Sequence, residues 1–186
     1  MAKLIYVTNM SLDGYIEDES GAFDLYAPDD EVFASATDLL RSAGTFLYGR
    51  RLYELMAVWE TNAALAADSE LRADFAAAWQ AANKVVYSTT LAEVSTANTR
   101  LERHFDPTAV RELKAAADSD LTIGGADLAA QALHAGLVDE CRLFVWPSVI
   151  GGGKAALPAG TRTDLELLDE HRFGNGVLLL RYRPRS

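Results

Sequence analysis

The sequence has 186 residues, of which 49% are hydrophobic and 24% are charged, and its formal net charge is −10. This length suits one domain with a single buried core, which we expect to span residues 1–186. Binding to a nucleic-acid backbone needs clustered lysine and arginine, and because the sequence has no basic block we expect no nucleic-acid partner.

The first strand is predicted at 3–8, and the polar, glycine-containing segment that follows predicts a long loop, a common place for functional residues. A helix should begin after Asp29 and end at Gly44, because its apolar residues recur on one face. The next elements in order are a strand at 45–48, a turn at Gly49 that enters a helix, a helix from Asp68 or Ser69 to Ala82, and a strand at 84–88.

Asp106 and Pro107 are typical of a helix N-cap and first helical residue, which predicts a helix to about Ala117. A strand at 121–123 and a helix at 126–135 follow, and Gly136 with Leu137 predicts a Schellman end. The tail contains strands without helices, at 141–146, 164–173 and 177–183, with a hairpin turn at 174–176. The order predicts an α/β fold with a mostly parallel central sheet flanked by helices and antiparallel C-terminal strands.

Functional residues are expected at four strand ends, because ligands of open α/β sheets bind beyond the carboxyl ends of the strands. Each of these ends joins an apolar strand to glycine, arginine or hydroxyl residues: TNMSLDGY (8–15), YGRRLYE (48–54), YSTTL (87–91) and IGGADL (123–128).

Two of these ends favour phosphate. Gly49, Arg50 and Arg51 would combine free helix N–H groups with guanidinium groups, although a glycine turn with two solvated arginines explains the same residues. Gly124 and Gly125 do not match the dinucleotide fingerprint G-x-G-x-x-G, yet a backbone without Cβ atoms at a helix start still suits a pyrophosphate.

The hydroxyl residues Ser88, Thr89 and Thr90 suit either a phosphate or ribose contact or a capping or turn role, and the sequence leaves both open. The segment IGGGKAAL (150–157) departs from a P-loop at Ser148 and Ala155, so a turn or bulge between late strands is the preferred interpretation.

The remaining chemistry is sparse. The three histidines are dispersed and offer no metal-ligand spacing, so no metal is expected. The acidic run 29–31 most simply caps a helix, although one of its carboxylates near the site would be able to protonate or anchor a substrate. Cys141, the single cysteine, fits a buried strand thiol. The start of the sequence does not resemble a signal peptide, and no apolar run is long enough to span a membrane. Together with the single cysteine, these observations predict a cytoplasmic protein without a disulfide.

Taken together, these residues resemble the dihydrofolate reductase-like fold, and most closely the C-terminal reductase domain of riboflavin-biosynthesis deaminase-reductases and its stand-alone relatives. Five segments carry the resemblance in family order: SLDGYI (11–16), LYGRRLYE (47–54), KVVYSTTL (84–91), LTIGGADLAAQALHAGLVDE (121–140) and PSVIGGGKAAL (147–157).

The resemblance implies an NADPH-dependent reductase that transfers a hydride to a small heterocyclic substrate, pterin-like or pyrimidine-like. It implies a homodimer through the C-terminal strands, which the apolar run LFVWPSVI (143–150) also favours. The implied cofactor-binding residues are Asn9, Met10, Ser11, Gly49, Arg50, Arg51, Ser88, Thr89, Gly124, Gly125, Ala126 and Asp127. Candidate proton donors are Asp13, Asp30 and Glu31, with bound water as a further source.

Two departures from the family pattern keep a second hypothesis open. Leu52 stands where relatives commonly carry a threonine that meets the pyrophosphate. The carboxylate that dihydrofolate reductases place on their first helix falls near Phe33 in this sequence, so dihydrofolate is a poor candidate substrate. The alternative is a non-catalytic NADPH- or nucleotide-binding module that acts as a sensor or partner protein.

Overall fold

The computed structural model describes residues 1–22, 29–160 and 162–185. Its strands are β1 Leu4–Ser11, β2 Tyr15–Glu17, β3 Ala43–Gly49, β4 Asn83–Tyr87, β5 Thr99–Glu102, β6 Asp120–Gly124, β7 Glu140–Trp146, β8 Lys154–Ala155, β9 Leu165–Arg172 and β10 Leu178–Pro184. Its helices are α1 Asp30–Ser42, α2 Arg50–Met56, α3 Val58–Thr61, α4 Ala63–Ala66, α5 Glu70–Ala81, α6 Pro107–Ala116 and α7 Ala126–His134.

One eight-stranded sheet forms the centre of the molecule, in the order β5-β4-β3-β6-β1-β7-β10-β9. The strands from β5 to β7 in this order are parallel, and β10 and β9 add to β7 as an antiparallel hairpin. The short strands β2 and β8 pair separately and antiparallel. The predicted α/β architecture, with a mostly parallel sheet and antiparallel C-terminal strands, is confirmed.

Helices cover both faces of the sheet. Neighbouring residues of a strand point to opposite faces, so they pack against different helices. Leu47 packs in the apolar cluster that includes residues of α6 and α7, and the next residue, Tyr48, packs in the cluster that includes residues of α1, α2 and α5. The strand register brings Tyr48 beside Gly124 and Gly49 beside Tyr87. The ends of β3, β4 and β6 therefore lie level at one edge of the sheet.

The helix starts follow the capping residues read from the sequence. Asp29 accepts a hydrogen bond from the Val32 N–H at 3.0 Å, and Ser69 and Asp106 cap α5 and α6 in the same way. The Schellman end of α7 is also confirmed, since Gly136 has a φ of 62° and the Leu137 N–H donates to the Ala132 carbonyl at 2.9 Å.

The prediction that Gly44 ends the first helix is wrong. Helix α1 stops at Ser42, and Gly44 is the second residue of strand β3. Its lack of a side chain serves packing, because a Cβ atom at Gly44 would lie 2.2 Å from the Ser119 hydroxyl oxygen. Strands β2, β5 and β8 were not predicted; none is longer than four residues, too short for a clear alternation of apolar and polar residues.

In the apolar run at 143–150, the first four side chains are buried in β7, whereas Val149 is 72% exposed. The chain itself covers only the first half of that run, and the homodimer stays a prediction. Cys141, in the same strand, is buried as expected, and burial raises the pKa of its thiol to about 11.

None of the helices in the described part of the chain has the length and apolar character that a membrane crossing requires. Across the same residues, histidine, cysteine, aspartate and glutamate form no group of three or more suited to a metal ion.

Candidate functional site

A cleft of about 530 Å³ opens at the carboxyl ends of β3, β6 and β1, where α1, α2 and α7 converge. Much of its wall is apolar, and the residues of this part include Val32, Phe33, Ala36, Leu52, Leu55, Met56, Phe144 and Trp146. Among the described residues, five charged ones line it: Glu17, Arg50, Arg51, Asp127 and Lys154. Three of the four predicted strand ends thus contribute to one cavity.

Two glycines form facing helix starts in this cleft. Gly49 is the N-cap of α2 and Gly125 is the N-cap of α7, and neither helix has a side-chain cap. Gly125 has a φ of 91°, and a Cβ atom added to it would lie 3.7 Å from the Gly49 nitrogen. The N–H groups of a helix's first turn have no partner within the helix, so this junction offers backbone donors and a positive helix end to an anion.

Gly124 has a different role from its neighbour. A Cβ atom at this position would lie 2.4 Å from the Leu52 Cδ2 atom, so the leucine side chain packs directly over the glycine. Leu52 therefore supplies an apolar contact at the point where the family resemblance implies a threonine hydroxyl.

Arg50 is held at the mouth of the cleft by two polar contacts. Its Nε donates to Glu54 at 2.8 Å, and its Nη1 donates to the Thr90 hydroxyl at 2.9 Å. The Ser88 hydroxyl instead accepts the backbone N–H of Leu91 at 2.9 Å, which stabilises its own turn. All three of these hydroxyl residues lie outside the cleft lining, and Thr90 is the one whose side chain contacts Arg50.

The three predicted site residues at the end of β1 differ in position: Asn9 lies in the cleft, and Met10 and Ser11 lie in the core. Asn9 lines the cleft, and its Oδ1 accepts the indole N–H of Trp146 at 2.9 Å. Met10 packs against the core, and Ser11 is fully buried, with its hydroxyl accepting the Tyr15 N–H at 3.0 Å. Neither Met10 nor Ser11 lines the cleft, because both face the packed interior.

Asp13 serves as a tie between two loops and lies outside the cleft lining. Its carboxylate accepts the Gly151 N–H at 2.7 Å and the Ile150 N–H at 3.1 Å. Hydrogen bonds from the Ser11 hydroxyl and from these backbone groups lower the pKa of Asp13 to about 2. A carboxyl group this acidic is a poor proton donor at neutral pH.

The acids of the first helix also lie outside the cleft lining. Glu31 accepts the Gly174 N–H at 2.9 Å and lies 3.8 Å from His171, which joins α1 to the final hairpin. Asp30 is exposed in the first turn of α1. The structure thus brings none of the three candidate proton donors into the cleft.

Two charged residues of the cleft were missed by the sequence analysis. Glu17, with a side chain only 13% exposed, accepts a hydrogen bond from Arg51 at 2.9 Å, and Lys154 pairs with Asp127 at 2.5 Å. Glu17 directly follows the SLDGYI segment (11–16), and this position next to a family motif was the sequence feature that could have identified it. Lys154 follows the triple glycine, where the P-loop pattern fails and the lysine belongs to no other motif.

The triple glycine allows a close backbone approach. Gly153 has a φ of 125°, and a Cβ atom there would lie 2.0 Å from the Glu17 carbonyl oxygen. The segment leads into β8 beside β2, so the interpretation as a turn is confirmed. It also sets Lys154 and Glu17 on paired strands at the cleft.

The sequence comparison identifies the family. The model of the RibD C-terminal domain family matches residues 2–179. The chain belongs to this family. A curated relative, the uncharacterized protein YyaP of Bacillus subtilis, is 28% identical to this chain over 182 residues, which cover 97% of this chain and 94% of YyaP.

Solved structures share the fold at low sequence identity. A protein of Shewanella sp. PV-4, provisionally assigned to riboflavin biosynthesis, has a TM-score of 0.76 at 19% identity, with both chains fully covered. A pyrimidine reductase-like protein of Corynebacterium diphtheriae has a TM-score of 0.66 at 16% identity, covering 100% of this chain and 92% of that one.

A third structure, the diaminohydroxyphosphoribosylaminopyrimidine deaminase/5-amino-6-(5-phosphoribosylamino)uracil reductase of Thermotoga maritima, has a TM-score of 0.63 at 15% identity. This match covers 99% of the present chain and 57% of the Thermotoga protein. The present chain is therefore similar to one part of that two-activity enzyme.

Proposed function

We propose that this protein is an NADPH-dependent reductase that transfers a hydride to a small heterocyclic, pyrimidine- or pterin-like compound. The observation that carries the proposal is the junction of Gly49 and Gly125, two helix starts without side-chain caps that face each other beside Arg50. Membership of the RibD C-terminal domain family and its similarity to reductase structures support it.

The residues present fit a dinucleotide phosphate. A Cβ atom at Gly125 would project beside the Gly49 nitrogen, so the absence of side chains leaves a cradle of backbone donors. The backbone of 124–127 would hold the pyrophosphate, and Arg50 with the Thr90 hydroxyl would receive the 2′-phosphate. A guanidinium group is the physical basis for preferring NADPH to NADH.

The chain's own contribution is binding and orientation. A bound reduced nicotinamide supplies the hydride, and the protein must align it with the acceptor and exclude water. The apolar wall from α1, α2 and β7 excludes water, while Asn9 stands at the end of β1 beside Trp146. Of the described carboxylates that line the cleft, Glu17 is the more buried and would accept hydrogen bonds from a ligand.

The test is a parallel titration with NADPH and NADH, followed through nicotinamide fluorescence. The parent protein should bind NADPH more tightly, and Arg50→Ala should weaken NADPH binding by about tenfold through loss of a charge-assisted hydrogen bond, with NADH binding little changed. Arg100→Ala, which removes an exposed arginine paired with Glu102 outside the cleft, is the matched control.

Equal NADPH affinity in Arg50→Ala and the parent would refute the placement of the 2′-phosphate. Failure of the parent to bind either nucleotide would refute the proposed function itself.

The non-catalytic alternative draws support from two observations. The candidate proton donors Asp13, Asp30 and Glu31 all lie outside the cleft lining, and Leu52 covers Gly124 where a hydroxyl was implied. A protein that binds NADPH without turnover would share the same cradle. A steady rate of NADPH oxidation with any heterocyclic acceptor would exclude this alternative.

A further inference from the structure

The charged and apolar residues of the cleft come from different elements. Its charged residues lie in the first turns of α2 and α7 and on the paired strands β2 and β8. Helix α1 contributes five residues to the lining, and all five are apolar: Val32, Phe33, Ala36, Leu39 and Leu40. The second turn of α2 adds Leu55 and Met56, and the end of β7 adds Phe144 and Trp146. The cleft therefore has a charged part and an apolar part.

The apolar part is built on the packed core. Phe33 lies 4.8 Å from Phe75 between ring centroids, and Val32 and Phe144 belong to one buried cluster. Such a wall keeps its shape when a ligand enters, because its side chains are already fixed by their neighbours. A rigid wall of aliphatic and aromatic side chains favours a flat, apolar ring.

The cations of the cleft offer little to a second anionic ligand. Of the three cations among the described residues that line it, the proposed 2′-phosphate would occupy Arg50, and the other two are paired with carboxylates, Arg51 with Glu17 and Lys154 with Asp127. The chain carries a net charge of −10, and the phosphates of a bound dinucleotide would add negative charge beside the same cations. A second phosphate would therefore be repelled at the apolar part.

We infer that the ligand of the apolar part is an uncharged, flat ring compound without a phosphate group. The inference rests on the proposed function, because the ligand concerned is the one that would be reduced. It deepens that function by naming the class of substrate, and it separates this chain from an enzyme whose substrate carries a phosphorylated sugar.

The experiment uses a matched pair of probes, 1-naphthol and 1-naphthyl phosphate, which differ only in the phosphate group. Their affinities are measured by calorimetry with the full chain saturated with NADP⁺. We expect 1-naphthol to bind saturably and about tenfold or more tighter than the phosphate, because the apolar wall lacks a free cation in the described part of the chain.

A pair of leucine variants locates the binding. Leu55 lines the cleft and is 41% exposed, whereas Leu178 is 37% exposed and lies outside the cleft lining. Leu55→Asn should weaken 1-naphthol binding by about fivefold through loss of apolar contact, while its NADPH affinity stays within about twofold of the parent. Leu178→Asn should leave both affinities unchanged.

Three results would overturn the inference: phosphate binding as tight as 1-naphthol binding, an unchanged affinity in Leu55→Asn, or an equal loss in Leu178→Asn. The same probes titrated into protein without nucleotide separate this inference from the proposed function. If NADP⁺ does not bind but 1-naphthol still binds in a Leu55-dependent manner, the reductase proposal fails and the apolar site stands.

Discussion

Gly125 and Gly136 lie at the two ends of helix α7, and both have a positive φ, of 91° and 62°. Neither would meet a heavy atom closer than 3.7 Å through an added Cβ atom, so the cost of a side chain at either position is mainly backbone strain. This makes the two glycines a matched pair, since one faces the cleft and the other does not.

An alanine at Gly136 should destabilise the fold by about 1–2 kcal/mol, the cost of a left-handed backbone for a residue with a Cβ atom. At Gly125, where a ψ of 119° lies outside the left-handed helical region, the cost should be about 1–3 kcal/mol. Only Gly125→Ala should also weaken NADPH binding, by roughly tenfold, because its methyl group would enter the phosphate cradle beside Gly49. Urea unfolding and calorimetric titration of both variants measure the two effects. Equal NADPH affinities in the two variants would return Gly125 to a purely conformational role.

The residue scale also shows where sequence reasoning stops. The strand ends that hold glycine and arginine were identified from residue type and order, and Gly49, Arg50, Arg51 and 124–127 do line the cleft. The hydrogen-bond partners of the hydroxyl residues could not be read from the sequence. The Ser88 hydroxyl accepts a hydrogen bond within its own turn, and the Thr90 hydroxyl accepts one from Arg50. Hydroxyl groups serve caps and ligands equally well, so only geometry separates the two roles.

At the scale of elements, Asp13 joins the turn after β1 to the loop after β7. The pKa of its carboxyl group, about 2, lies below the ordinary value of 3.8, so the charged form is favoured in the folded protein. The contribution of this tie is therefore complete above about pH 4 and is lost as the pH falls through about 2.

Asp13→Asn should accelerate amide hydrogen exchange at Ile150 and Gly151 at neutral pH, because the backbone N–H groups lose a charged acceptor. Asp18→Asn is the control, since Asp18 accepts the backbone N–H groups of its own turn. Unchanged protection of Ile150 and Gly151 in the Asp13 variant would contradict the role of this carboxylate as a tie.

The elements that were predicted and those that were missed differ in length and pattern. Helices with a capping residue and an apolar face, such as α1, α5 and α6, were located to within a few residues. Strand β5 was missed because its sequence, TRLE, is short and charged, and β8 has only two residues. Since β2 and β8 carry Glu17 and Lys154, the missed strands explain the missed site residues.

At the scale of the whole molecule, Glu140 joins the parallel part of the sheet to the antiparallel tail. Its fully buried carboxylate pairs with Lys3 before β1, Arg142 on β7 and Arg181 on β10, at 3.3, 2.7 and 2.9 Å. Burial raises the pKa of Glu140, but hydrogen bonds and charge attraction from Arg181 and Arg142 outweigh it and lower the pKa to about 2. The network joins the residue before β1 to β7 and β10, and β1, β7 and β10 are neighbours where the sheet changes direction.

Glu140→Gln should lower the free energy of unfolding by about 2–3 kcal/mol, somewhat below the usual loss for a broken buried ion pair, because Arg181 keeps contact with water and Asp169. The folded pKa of Glu140 is depressed, so its stabilisation is present above about pH 4.5 and disappears as the pH falls toward 2. The stability difference between parent and variant, measured by urea unfolding, should therefore narrow between those pH values.

Glu166→Gln, which removes an exposed pair with Arg183, should cost less than about 1 kcal/mol. A pH-independent difference, or equal losses in the two variants, would show that the buried carboxylate does not hold the two parts of the sheet together.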